Sequence, residues 1–319
     1  MDCRGHRLTY VPRNIPDNTQ MLDLRQNNLS KLMANSFDAL WSMKILLLSD
    51  NYIDSIHSKA FEPLGFLKRL DLSNNHLRQL SHDFFIHLVS LRELNVSFNW
   101  LTSLRFKSLQ HLESLDKLDL SYNRLISIER GAFQGLSKLC YLFLQCNRLE
   151  VIHEGYFFML LNLEVLNLAN NNISIIDVEA FTPLHSLNLL ILSQNHLSHL
   201  NFKTFLNIHT LSTHLLLSRN PWTCDCELQR VFGKIMSVRH LHMDDYENIS
   251  CSSPWQLVGY PLMSVDTQLC MAETATVLVI TITVVVTVMA AIVMAERKRK
   301  KDQEKSWSEL DGPFDSQEK

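Results

Sequence analysis

Four cysteines in the last third of the chain carry its clearest chemical signal. Cys224 and Cys226 frame a single aspartate, and Cys251 and Cys270 follow at longer spacing. A CxC…C…C set supports two chemistries. In an oxidising compartment it forms disulfides, with three connectivities open to four cysteines. In a reducing one the same thiolates are zinc ligands. No other reactive set assembles in the sequence. The pairs His196/His199 and His240/His242 lack a third ligand in step with them, and His153-Glu154-Gly155-Tyr156 does not complete HExxH. Neither GxSxG nor a glycine-rich phosphate loop occurs, and eight glycines in 319 residues fall well below the usual share of roughly 7%. A formal charge of -3 leaves no basic footprint for nucleic acid. The expectation is a non-enzyme without a cofactor or a nucleic-acid partner.

The elements that position these residues are set by a repeat. Asn27, Asn51, Asn75, Asn99, Asn123, Asn147, Asn171 and Asn195 fall 24 residues apart, and Asn220 arrives after 25, with one residue inserted around Thr213. An LxL-type pair precedes each, from Leu22/Leu24 to Leu215/Leu217. Phenylalanine stands ten residues after the asparagine in seven of the first eight units (Phe37, Phe61, Phe85, Phe133, Phe157, Phe181 and Phe205), and Leu109 replaces it in the fourth. Alternation over LxL predicts a short strand, and stacked copies predict a parallel sheet whose neighbours bury one another's leucines. The asparagine amide is placed to satisfy backbone groups where the chain leaves the strand.

Nine such units resemble the leucine-rich repeat family in its 24-residue extracellular subtype. The resemblance implies an α/β solenoid, a horseshoe with a parallel concave sheet over about nine repeats (21–219). Asn220-Pro221-Trp222-Thr223-Cys224-Asp225-Cys226 with Cys251 and Cys270 resembles the family's C-terminal cysteine cap, here 220–270. That likeness implies the pairs Cys224–Cys251 and Cys226–Cys270, and it favours disulfides over zinc. Residues 1–20 resemble the last part of an N-terminal cap whose earlier cysteines are missing, so Cys3 is expected to lack its partner and the chain to be N-terminally shortened. Cys140 and Cys146 lie six residues apart along one strand. That is about 20 Å at 3.3 Å per residue, too far for a disulfide, and free half-buried thiols are expected.

Thr274 to Ala295 is an uncharged run of 22 residues. At 1.5 Å per residue it spans roughly 33 Å, enough for one transmembrane helix. Arg297, Lys298, Arg299, Lys300 and Lys301 follow, a stop-transfer cluster that places the C-terminus in the cytoplasm and offers charge to anionic lipid. The tail, 296–319, reads as too short to fold. Sequons at Asn28, Asn95, Asn172 and Asn248 favour an extracellular placement of the repeats. The resulting layout is a single-pass type I protein of the plasma membrane; a tail anchor with cytosolic repeats is the alternative topology.

In a horseshoe of this family the residues between the strand leucines line the concave face. The middle units place charges there (Arg69, Asp71, Glu93, Lys117, Asp119), and a glycan on Asn95 would divide the face in two. The sixth to ninth strands instead supply Tyr141, Phe143, Val165, Leu189, Ile191 and Leu216. A contiguous apolar patch with a polar rim marks an interaction site, and its aromatic residues are favoured anchors. The expected partner is an extracellular or membrane protein, bound in recognition, adhesion or co-reception. The layout of repeats, cap, span and basic cluster is also similar to auxiliary subunits of ion channels, which act through the span.

Overall fold

The computed structural model describes residues 1–265 and 268–310, with side chains over 1–265 and 276–301. The chain divides into two units, Met1–Val265 and Asp266–Lys319.

The first unit is a solenoid. One strand per repeat builds its main sheet: Met21–Asp23, Ile45–Leu47, Arg69–Asp71, Glu93–Asn95, Lys117–Asp119, Tyr141–Phe143, Val165–Asn167, Leu189–Ile191 and Thr213–Leu216. All pair in parallel, and Leu22, Leu46, Leu70, Leu94, Leu118, Leu142, Leu166, Leu190 and Leu215 stand directly opposite one another from strand to strand. These central leucines are fully buried, whereas most flanking residues reach the concave surface. Opposite the sheet, the seven repeat phenylalanines are also buried. Phe133, Phe157 and Phe181 stack at 6.3 Å between ring centroids, and Phe37 stacks on Phe61 at 5.9 Å.

The asparagines tie one turn to the next. Asn75 Nδ2 donates to the carbonyls of Leu48, Leu72 and Ser73 at 3.0–3.1 Å, and its Oδ1 accepts from Ile53 N at 2.9 Å. The residue before each asparagine is left-handed, from Asn74 at φ 51° to Arg219 at φ 57°, and none of the nine is glycine. A single left-handed residue with a Cβ costs about 1–2 kcal/mol. The asparagine's several buried hydrogen bonds, each worth about 1 kcal/mol, offset that strain.

Residues 1–8 form a further, shorter turn. Asp2 bridges Asp23 in parallel, Asn27 Nδ2 donates to Cys3 O at 2.8 Å, and Leu8 N donates to Asn27 Oδ1 at 2.9 Å. Cys3 is a buried free thiol in this turn. Cys140 and Cys146 are free and half-buried.

At the other end a tenth strand, Leu241–Met243, pairs with the ninth and extends the sheet into the cap. Asp245 joins this strand to the ninth repeat as an acceptor only, taking the N–H groups of Leu217 at 2.9 Å and Ser218 at 2.7 Å. Helix α1 (Phe202–Leu206) lies between the eighth and ninth strands, and α2 (Cys226–Ser237) packs over the sheet's end. Asp225 caps α2 by accepting from Leu228 N at 2.7 Å. Leu228, Val231, Phe232 and Ile235 form its buried face at helical spacing, with Trp222 edge-on to Phe232 at 5.5 Å.

The second unit contains α3, Gln268–Leu310. Within it Thr276–Lys301 is long and apolar enough to cross a membrane. The hydroxyls of Thr281, Thr283 and Thr287 donate to carbonyls three residues back at 2.8 Å, which leaves no polar group of these side chains for lipid to satisfy. The helix runs on through the basic cluster as far as Leu310. Extending an existing helix avoids the nucleation cost that an isolated segment of this length would meet. Residues 311–319 lie outside the described ones.

Candidate protein-interaction face

The parallel register assembles the concave surface as rows that run across the strands. One row is Tyr141, Val165, Leu189 and His214; the next is Phe143, Asn167, Ile191 and Leu216. Tyr141, Phe143, Val165, Leu189, Ile191 and Leu216 are all half-buried. The rows place the six expected residues side by side, interrupted by Asn167 alone within the second row. Neighbouring strands lie about 4.8 Å apart, so the patch is continuous over four of them.

Its rim is polar. Lys117 Nζ sits over the Phe143 ring at 5.4 Å from the centroid. Tyr141 Oη donates to Glu164 Oε2 at a long 3.5 Å, and that carboxylate raises the phenol's pKa. On the far side His214 Nδ1 lies 2.9 Å from both oxygens of Asp244, and its ring is 5.2 Å from that of His242 on the tenth strand. Gln145 lies on the sixth repeat beside Phe143, and its Oε1 is buried with no hydrogen-bond partner among the described residues.

The middle strands form a separate charged half. Arg69 Nε pairs with Glu93 Oε2 at 3.6 Å, both exposed, where such pairs contribute little. Asp71 and Asp119 accept from the hydroxyl and the backbone of Ser73 and Ser121. Asn95 lies between them in register and accepts from Ser97 N at 3.0 Å. The other three sequon asparagines, Asn28, Asn172 and Asn248, are exposed.

Cys224 and Cys251 form a disulfide with Cα atoms 5.5 Å apart. Their thiolates are therefore not zinc ligands, and no group of three His, Cys, Asp or Glu fit to hold a metal occurs among the described residues. Cys226 is also disulfide-bonded; its expected partner, Cys270, lies outside the residues whose side chains are described. His199 faces Asp225 at 3.6 Å, and His240 Nε2 lies 3.1 Å from Ile208 O.

Two features escaped sequence reasoning. The cap histidine His242 lies on a strand of the main sheet, opposite His214; the Leu241-x-Met243 alternation signals this, but outside the 24-residue step. The second is an aromatic ladder on the turns. His76 stacks on Trp100 at 4.3 Å, Arg124 lies 5.3 Å from the same indole, and Phe98 stacks on Tyr122 at 4.2 Å. These residues flank the repeat asparagines on either side, so the same 24-residue step aligns them.

Comparison with solved structures returns the same architecture. Human 5T4 (Wnt-activated inhibitory factor 1, trophoblast glycoprotein) matches with a TM-score of 0.61 at 23% identity, over 84% of this chain and 92% of that one. FLRT2, whose leucine-rich repeats were solved in an octameric complex with latrophilin 3 and Unc5D, is represented by a match with a TM-score of 0.59 at 23% identity, over 82% of this chain and 93% of that one. The leucine-rich repeat model matches residues 41–101, 90–149, 139–197 and 162–222. Those segments cover more than half of the sequence and coincide with the asparagine-locked turns, and the chain belongs to the leucine-rich repeat family.

Proposed function

We propose that this chain is a non-enzymatic, single-pass type I protein of the cell surface that binds another protein through the patch of Tyr141, Phe143, Val165, Leu189, Ile191 and Leu216. The observation that carries the reading is the pair of half-buried apolar rows across the sixth to ninth strands, set beside the charged middle strands of the same face. Apolar groups held at a surface by a rigid sheet lose little entropy on docking, and aromatic anchors inside a polar rim carry most of the energy in such interfaces. The recovery of FLRT2 in a complex with other proteins supports a solenoid used for protein recognition. In the same reading Cys226 pairs with Cys270, and the Arg297–Lys301 cluster lies at the cytoplasmic leaflet, where it meets anionic lipid.

Proximity labelling on intact cells tests the proposal. The full chain carrying Phe143→Asp and Ile191→Asp should reach the surface in normal amount, because the buried Leu142 and Leu190 are untouched. It should lose the neighbours that the unaltered chain labels. An unchanged set of neighbours refutes the patch. Loss of an ion channel among the neighbours only when 274–301 is exchanged would favour the auxiliary-subunit reading instead.

A further inference from the structure

One row of the solenoid is neither part of the apolar patch nor neutralised by its surroundings. It lies where the chain enters the strands. Lys44 N donates to Gln20 O, Lys68 N to Lys44 O, Arg92 N to Lys68 O and Asp116 N to Arg92 O, each at 2.8–2.9 Å. These residues are thus successive rungs, and three rungs in a row carry exposed cations. Lys44 Nζ donates to Gln20 Oε1 at 3.0 Å, an uncharged acceptor. The side chains of Lys68 and Arg92 make no hydrogen bond or ion pair among the described residues. Glu93, next to Arg92 in the chain, is engaged by Arg69.

We infer that Lys44, Lys68 and Arg92 form a binding row for a sulfated polysaccharide lying along the stacking axis of the second to fourth repeats. Strand spacing sets the cations about 5 Å apart in a line on a rigid frame. Like charges at that spacing repel one another and are relieved by a ligand whose fixed anions repeat along a line. A sulfated glycan has that form, whereas a folded protein partner seldom does. Asp116 bounds the row, so the site is short. Exposed aromatic residues stand close to it in the chain: Phe66 precedes Lys68 across the buried Leu67, and Trp41 lies three residues before Lys44. Flat rings beside a row of cations suit a polymer whose pyranose rings present C–H faces between their sulfates. The inference uses the outward placement of the repeats to favour a glycan over nucleic acid, but it does not depend on the apolar patch.

The test is binding of the full chain, in nanodiscs of neutral phosphatidylcholine, to immobilised heparin over a range of salt. The combined variant Lys44→Gln, Lys68→Gln, Arg92→Gln should bind at least tenfold more weakly and with a shallower salt dependence. Removing as much charge elsewhere, by Lys59→Gln, Lys138→Gln, Arg148→Gln, should change affinity less than threefold. Lys44→Arg with Lys68→Arg should bind as the unaltered chain does, which guards against loss through misfolding. Desulfated heparin should fail. Equal binding by the two triple variants overturns the inference. So does stronger capture, through the same three cations, of phosphatidylserine vesicles or polyglutamate than of heparin.

Discussion

Leu77 donates its backbone N–H to Oδ1 of Asn99 at 2.9 Å, so the turn of one repeat is held by the side chain of the next. The same carboxamide donates to the carbonyls of Leu72, Val96 and Ser97 at 3.0–3.1 Å. Asn99→Asp keeps the shape but removes every donor and sets a buried charge against three carbonyl oxygens. Each lost partner leaves a buried acceptor unsatisfied at about 1–3 kcal/mol. The expected loss of stability is on the order of 4 kcal/mol. Hydrogen exchange should show it first at Leu77 and its immediate neighbours, because each turn of a solenoid touches only the adjacent ones. Uniform exchange over all repeats, or an unchanged melting temperature, would contradict this account.

The repeat core was legible because its residues recur at one step. Once nine asparagines fall in register, Leu142 or Phe157 has no freedom to be anything but buried. The scarcity of glycine also has a physical reading: the left-handed residue before each asparagine is Phe98, Tyr122, Cys146 or another side-chain-bearing residue, held by the asparagine's bonds. The cap strand was hidden because it pairs with the ninth strand outside the 24-residue step. Charge composition concealed the course of α3 beyond the span, since basic and acidic residues there read as a tail although they suit a helix already under way. The patch was legible from alternation alone, but the continuity of Tyr141, Val165 and Leu189 required the register.

Cys140 should be a slow thiol. Burial pushes its pKa up to about 11, helped by a hydrogen bond to Asp116 and by the charges of Asp116 and Glu164. Only the thiolate attacks an alkylating agent. At pH 8.5 the shift cuts the thiolate fraction by roughly two orders of magnitude, and the greater nucleophilicity of a more basic thiolate restores about one. Iodoacetamide should therefore label native Cys140 about tenfold more slowly than the same residue in urea, as read by peptide mass spectrometry. Asp116→Asn should speed the reaction. The native fold favours the protonated thiol, so this contribution to stability is full below pH 9 and is lost as pH rises from there through about 11. Equal rates in native and unfolded chains would contradict it.

Glycan occupancy should separate the four sequons by their surroundings. Asn28, Asn172 and Asn248 are exposed together with their hydroxyl partners Ser30, Ser174 and Ser250. At Asn95 the hydroxyl partner Ser97 is buried, and Asn95 Oδ1 already accepts from Ser97 N. Once the fourth repeat has folded, that sequon no longer presents an open amide and hydroxyl to an enzyme. In cells that route the full chain into the secretory pathway, glycosidase release in heavy-oxygen water should mark Asn28, Asn172 and Asn248 and leave Asn95 largely unmarked. Occupied sites also report topology, because the transferase acts only on the luminal side; four unmarked asparagines would place the repeats in the cytosol and remove the basis for a cell-surface partner. Full occupancy at Asn95 has a different consequence. A glycan there would stand between Asp71 and Asp119 on the concave face. It would wall off the charged half and confine any protein partner to the strands from Tyr141 onward.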